Sequence, residues 1–423
     1  MIERLRATKN CAGIALGMLL AGATLPAEAQ SSTVIAGMSS SRLARLDEHF
    51  HRYVDDGLIS GVVTYIVRRG QVVHQDAYGL ADIAANRPMS QDSYFYLYSM
   101  TKPVTSVALL ILYEEGRFQL DDPLADYLPE MADLKLYVGE GDDGNMILKD
   151  PARQPTIHDV FRHTAGFLYG GNGNRGIDRA YSEAALMNGT LSELTRKLGK
   201  IPLAYEPGTR WVYSVSHDVQ ARLVEVLSGM PFDKFAQQRI FDPLGMKETM
   251  FGRPDALKDR FAVIYGGSQQ GQLQPTGALD RPGAASRVLG GLSLSSTASD
   301  YARFAQMLVN SGELGGVRIL SRKTVDLMDS NHLPTGVTRG AAGGGTAGGE
   351  GYGLGVRVVT DPAAAGNLTS VGTFGWSGAA GTHFFVDREE DLAAVFMIQS
   401  MGGAGGPGMT DEFETLVYQA IVD

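Results

Sequence analysis

The sequence predicts an α+β fold, an antiparallel sheet flanked by helices and built from both ends of the chain, with a mostly helical segment inserted between them. Three observations carry this. Strand-rich hairpin patterns stand near opposite ends of the 423 residues, an amphipathic helix borders each of them, and helical periodicities with long loops fill the stretch between. The expected division is a leader over residues 1–29, a sheet part over about 30–98 and 310–423, and a helical part over about 99–309. A join of this kind is where a cleft forms.

The first element is an address. Arg4, Arg6 and Lys9 precede a mostly apolar run over residues 11–25, and Ala27-Glu28-Ala29 follows as a cleavage site. This is the pattern of a signal peptide cut before Gln30, with a run too short for a membrane span. A periplasmic or secreted protein is therefore expected. Cleavage removes three cations and two anions, taking the formal charge from −10 to −11, and it removes Cys11, the only cysteine. A mature chain of that kind has no disulfide, no thiol nucleophile and no thiolate metal site.

Residues 40–57 place Leu43, Leu46, Phe50 and Val54 on one helical face. Residues 62–67 and 72–78 are β-rich on either side of Arg69-Gly70-Gln71, a hairpin signal. The far end repeats the pattern: residues 382–386 and 392–399 flank the polar turn 387–391, and a helix with Phe413, Leu416, Val417, Ala420 and Ile421 on one stripe follows. Between them, residues 190–198, 219–228, 232–240 and 298–309 read as helices. Residues 340–351 hold seven glycines in twelve positions, a loop that serves either as a surface linker or as a lid.

Composition excludes several classes. The surplus of 47 acidic over 37 basic residues argues against nucleic acid, whose phosphates require a cationic face. Beyond the leader no stretch approaches eighteen apolar residues, so stable membrane insertion is not expected. Neither H-E-x-x-H nor an acidic calcium loop occurs, and no cofactor or metal is expected. His49-Phe50-His51 is an H-x-H, but on a helix the two rings diverge by about 200°, which assigns them to a solvated face.

Ser99-Met100-Thr101-Lys102 is the only S-x-x-K in the chain, and it opens a helix reading from Val104 to a Gly116 cap. Pro103 is tolerated only in the first turn. There, positions i and i+3 share a face, so Lys102 Nζ can reach Ser99 Oγ. A serine hydroxyl needs a neighbour that takes its proton, and a lysine serves if burial favours its neutral amine. The alternative is an N-cap serine beside a solvated lysine. Tyr213, after the Pro207-Gly208 turn, is either a proton shuttle or a core tyrosine packed behind Trp211. Trp376-Ser377-Gly378-Ala379, entering the first C-terminal strand at a cleft-lining edge, is either a strand start or a source of unpaired N–H groups. In the second case the backbone N–H groups of Ser99 and Ala379 form an oxyanion hole. Tyr169 either borders a substrate pocket or packs in the core, and His163 is read as a hydrogen-bonded structural residue.

Together, Ser99-Met100-Thr101-Lys102, Tyr213-Ser214-Val215 and Trp376-Ser377-Gly378 resemble the three signature boxes of the serine β-lactamase and penicillin-binding protein superfamily, in the order and spacing of the class C type. Supporting matches are Arg162-His163-Thr164-Ala165-Gly166-Phe167, Phe241-Asp242-Pro243-Leu244-Gly245-Met246 and Gly290-Gly291-Leu292-Ser293. The resemblance implies a class C β-lactamase-like fold with Ser99 as acylated nucleophile, Lys102 as its proton acceptor and Tyr213 as relay. Where class C enzymes carry Lys-Thr-Gly this chain has Trp376-Ser377-Gly378, and where they carry Tyr-x-Asn it has Val215. Both changes remove groups that hold lactam substrates, and both are similar to the family VIII carboxylesterases. The expected activity is hydrolysis of short-chain carboxylic esters, a small-molecule substrate contacted by Trp376, Ser377, Gly378 and Tyr169. The alternatives are a β-lactamase or DD-peptidase, and a non-catalytic penicillin-recognising protein. No G-x-S-x-G elbow supports a Ser-His-Asp triad.

Overall fold

The computed structural model describes residues 33–423 apart from 171, 172, 174, 268–271, 281–282, 339–347 and 403–406. The expected leader over 1–29 and most of the glycine-rich loop over 340–351 lie outside the described residues. No described helix is long and apolar enough to cross a membrane.

Helix α1 (Ser40–Asp55) buries Leu43, Leu46 and Phe50, as its 3,4 spacing predicts. It leads into strand β1 (Gly61–Arg68), which turns through Arg69 and Gly70, both at positive φ (51° and 72°), into β2 (Gln71–Asp82). A two-residue turn with both φ positive matches the right-handed twist of the strands it joins. The short β3 (Arg87–Pro88) completes the N-terminal contribution. The C-terminal region supplies β4 (Glu350–Tyr352), β5 (Arg357–Val359), β6 (Phe374–Ser377), β7 (His383–Asp387) and β8 (Leu392–Met397). All pair antiparallel in one eight-stranded sheet of order β4-β5-β6-β7-β8-β1-β2-β3. The junction is β8 against β1, with Leu392 opposite Arg68 and Met397 opposite Val63, so the two ends of the chain close the sheet at its centre.

Both faces of that centre are buried, which is why β8 reads as an unbroken apolar run rather than an alternation. Leu392, Ala394 and Phe396 face α1 and the last helix, α5 (Pro407–Tyr418), where Phe50, Phe413 and Val417 pack; Ala393, Val395 and Met397 face the other way. Each fully buried Leu or Phe here contributes roughly 1.5–3 kcal/mol relative to exposure. The second face receives α4 (Ala298–Val309), whose Tyr301 and Phe304 rings lie 5.0 and 6.5 Å from Phe384 of β7. The expected helical part thus lends its final helix to the sheet.

The remainder of the 99–309 segment wraps α2 (Thr101–Glu114), a helix buried from Thr101 to Leu112, with α3 (Ser216–Ser228) alongside it. Pro103 stands in the first turn of α2, where its missing N–H costs nothing. The helices at Leu191–Leu198 and Ala298–Val309 start behind Thr190 and Thr297, whose side chains accept the backbone N–H groups of Glu193 and Asp300.

One expectation is corrected. The segment Trp376 to Ala379 does not enter the first C-terminal strand. It closes β6, with β4 and β5 before it, and β6 is an inner strand between β5 and β7. Pairing with β5 stops at Arg357 opposite Gly375, so Trp376 and Ser377 are strand-paired on the β7 side alone. The edge is local to that strand end.

Candidate active site

Ser99 sits in the single 3₁₀ turn Tyr98–Met100 that precedes α2, half-buried, with Lys102 one turn on and wholly buried. Tyr98, immediately before it, holds φ 45°, a left-handed conformation that a bulky residue adopts only under constraint. That twist sets the serine at the mouth of the helix instead of leaving it as an N-cap; the cap position falls to Met100.

Lys102 Nζ lies 3.1 Å from Ser99 Oγ, 2.9 Å from Tyr169 OH and 2.7 Å from the carbonyl oxygen of Gly291. The carbonyl can only accept. A neutral amine has two N–H donors and one lone pair, so donation to Gly291 O and Tyr169 OH leaves the lone pair for the Ser99 hydroxyl proton. The environment favours that form: burial lowers the Lys102 amine to about 7, against the opposing pull of the Asp218 carboxylate.

Tyr213 arrives from residues 211–215, ahead of α3. Its hydroxyl hydrogen-bonds Ser99 and receives the Trp376 indole N–H at 3.4 Å. Its ring lies 5.3 Å from Tyr169, 5.5 Å from Trp376 and 6.1 Å from Trp211, and Lys102 Nζ stands 4.6 Å from its centroid. Burial raises the phenol above its ordinary range, although its hydrogen bonds with Ser99 and Trp376 oppose the shift. Two titratable groups beside one hydroxyl are thus pushed apart, the amine toward acceptance of a proton and the phenol toward keeping one. His163, also at positive φ (58°), accepts the backbone N–H of Ser214 on Nδ1 at 3.2 Å and lies 4.9 Å ring to ring from Tyr213. Burial keeps it neutral, and it steadies the segment that carries the tyrosine.

The segment after β6 approaches from the sheet side. A Cβ on Gly378 would lie 2.2 Å from both the Leu97 carbonyl oxygen and Thr382 Oγ1, so only glycine lets this turn close against the residues that lead into Ser99. Ala379 follows at the surface of that turn. Trp376 joins the aromatic cluster, whereas the Ser377 side chain does not: successive residues of a strand face opposite ways. Its Oγ is 2.8 Å from His383 Nδ1, whose Nε2 donates to Glu414 of α5 at 3.1 Å, on the far face of the sheet. As a substrate contact, Ser377 is limited to its backbone. Val215 is fully buried in the core.

The structure therefore gathers Ser99, Lys102, Tyr213, Tyr169 and Trp376, and adds Asp218, which the motifs did not single out. Asp218 is buried in the first turn of α3 and accepts the Gly291 N–H at 2.9 Å on Oδ1. Burial raises its carboxyl to about 6, with Lys102 and the Gly291 N–H opposing. A Cβ on Gly291 would meet Tyr169 OH at 2.7 Å and Asp218 Oδ2 at 2.9 Å, so this glycine is what admits both groups beside the lysine.

A family model described as Beta-lactamase matches residues 46–419. An uncharacterized protein of Mycobacterium tuberculosis is 35% identical over 352 residues, covering 82% of this chain and 87% of its own length. Esterase EstB of Burkholderia gladioli is 30% identical over 406 residues, covering 90% and 96%. Among solved structures, EstCE1, a hydrolase with promiscuous acyltransferase activity, is similar with a TM-score of 0.73 at 25% identity, covering 90% of this chain and 99% of that one.

Proposed function

The chain belongs to the β-lactamase family, a hydrolase of that fold with esterase relatives, and from that premise we propose that it is a serine carboxylesterase of the family VIII type acting through an acyl-enzyme on Ser99. The observation that carries the reading is the partner set of Lys102: two acceptors for its two N–H groups and a serine hydroxyl for its lone pair.

In this reaction the Ser99 proton passes to Lys102 Nζ as Oγ attacks the ester carbonyl carbon. The N–H groups of Ser99 and Ala379 hold the oxyanion that forms; one such donor is typically worth about 10²–10³ in rate. Collapse breaks the bond to the alkoxide, which leaves with the proton returned from Lys102 through the Tyr213 hydroxyl. Water then enters, loses its proton along the same route, and frees the acid from Oγ. The substrate is an uncharged, short-chain ester, since an indole stands where lactam-directed relatives of the class C type present an ammonium group.

The test is Ser99→Ala, assayed on p-nitrophenyl butyrate and on nitrocefin beside the parent. Loss of ester turnover with an unchanged thermal midpoint is expected, and retained turnover overturns the assignment of Ser99. A parent preference for the lactam by orders of magnitude transfers the reading to a β-lactamase with the same nucleophile.

A further inference from the structure

On the outer face of the sheet, far from the aromatic cluster in sequence, α1 and β2 bring ligand-type side chains together. Asp47 and His51 are one helical turn apart on α1, and His74 and Asp76 are two residues apart on β2, hence on one face of each element. His51 Nε2 donates to Asp76 Oδ2 at 2.8 Å, and its ring is stacked on Tyr78 with centroids 3.8 Å apart, which fixes its direction. One donor atom each from Asp47, His51 and Asp76 lies within 4.8 Å of the other two. His74 Nε2 stands 3.1 Å from Asp47 Oδ1, but that oxygen, sealed from solvent, accepts no hydrogen bond; the His74 nitrogen is engaged by Thr64 Oγ1 at 3.1 Å. His49, by contrast, turns away to Glu412 at 2.9 Å.

A buried carboxylate oxygen that stands beside His74 Nε2 without a hydrogen bond, together with an oriented imidazole and a second carboxylate, makes a donor set that can hold a cation. We propose that Asp47, His51 and Asp76 form a binding site for a divalent first-row transition metal such as zinc, joining α1 to β2, with His74 packed behind Asp47. Two carboxylates and a neutral imidazole balance a dication. Zinc–ligand bonds of about 2.0–2.2 Å put tetrahedral donors ~3.3 Å apart, so the His51–Asp76 contact opens by about half an ångström and the wider separations close. Calcium, which takes six to eight oxygens, and magnesium, which demands octahedral oxygen, fit this mixed set of three less well. The metal takes the Nε2 lone pair of the neutral ring, so the proton that bonds Asp76 in the metal-free state moves to Nδ1 when the metal binds.

The test is calorimetric titration of Zn²⁺ into the untagged full chain, with thermal unfolding read beside it. His51→Gln keeps a donor for Asp76, and Asp76→Asn keeps an acceptor for His51, so both variants keep the metal-free hydrogen bond, and only His51→Gln loses the stack on Tyr78. One saturable site per chain is expected, with a raised thermal midpoint in zinc, at least tenfold weaker affinity in each variant, and parent-level ester turnover in both metal-free variants. Absence of a saturable site, an isotherm unchanged in both variants, or calcium binding as tight as zinc overturns the proposal.

Discussion

The assignment of Lys102 as proton acceptor is tested most sharply through a residue that touches no substrate. With the amine brought down to about 7, half of it carries a proton at that pH. Only the neutral form accepts from Ser99, so kcat/KM should fall on the acid side, from about 90% of its plateau at pH 8 to about 10% at pH 6. Asp218 works against the neutral amine, since a nearby carboxylate favours the ammonium form. Asp218→Asn removes that charge while its amide oxygen still accepts the Gly291 N–H, which Asp218 Oδ1 holds at 2.9 Å. The Lys102 pKa then falls further, by one unit or more on the usual scale of about 1–3 units for an adjacent charge. A one-unit drop raises the neutral fraction at pH 7, where the Asp218 carboxyl at about 6 is still mostly ionised, from about 50% to about 90%, so the variant, normalised to its own plateau, should be nearly twofold more active there than the parent. Steady-state kinetics on p-nitrophenyl butyrate from pH 5 to 9 measures this. An acid limb that stays in place, or moves to higher pH, refutes the electrostatic role given to the pair.

Three further outcomes follow from the geometry. Tyr213→Phe preserves the ring between Trp211 and Trp376 and deletes only the hydroxyl, so kcat should drop about 10²–10⁴ with the thermal midpoint unchanged; a fall below tenfold would remove the tyrosine from the proton route. Gly378→Ala drives a methyl to within 2.2 Å of Leu97 O and Thr382 Oγ1, and the displaced turn should cost about 10² or more in kcat/KM on the same ester. Burial alone would raise the Glu414 carboxyl, but Arg357 and His383 outweigh it and hold it at about 2. This depressed carboxylate stabilises the fold above its unfolded value near 4.3, and the contribution, about 3 kcal/mol, is lost as pH falls from there through 2. Glu414→Gln, which leaves Arg357 paired with Glu350 alone, should lower stability by about 3–5 kcal/mol near neutrality and flatten that acid dependence in urea melts.

What the sequence discloses depends on whether a feature is local. The helix at Ala298–Val309 and the hairpin at Arg69-Gly70 are legible because each carries its signal within a few residues: helical apolar spacing in the one, and Arg69-Gly70-Gln71 between two β-rich runs in the other. The three strands Glu350–Tyr352, Arg357–Val359 and Phe374–Ser377 were missed because each is only three or four residues long. No periodicity develops over that length. Asp218 was illegible for a different reason: an acid in the first turn of a helix is ordinary dipole chemistry. Only the fold shows that this one faces Lys102. Asp47, His51 and Asp76 are likewise unremarkable until a helix is laid on a strand 25 residues further along.

The proposed proton chemistry and the proposed choice of substrate trace to one substitution. Trp376 stands where the class C enzymes that this chain resembles carry a lysine. An ammonium group there would pull the Tyr213 phenol down toward ionisation and also hold a substrate carboxylate. The indole does neither, since it offers one neutral N–H, 3.4 Å from the phenol oxygen. Burial keeps the Tyr213 phenol protonated, so in the proposed reaction acceptance of the serine proton falls to Lys102, whose burial lowers its amine. A site arranged this way gains nothing from an anionic substrate and must desolvate one at a cost of several kcal/mol. An uncharged ester incurs no such penalty, and in the proposed reaction its leaving alkoxide takes from Tyr213 the proton that burial makes the phenol retain until that moment.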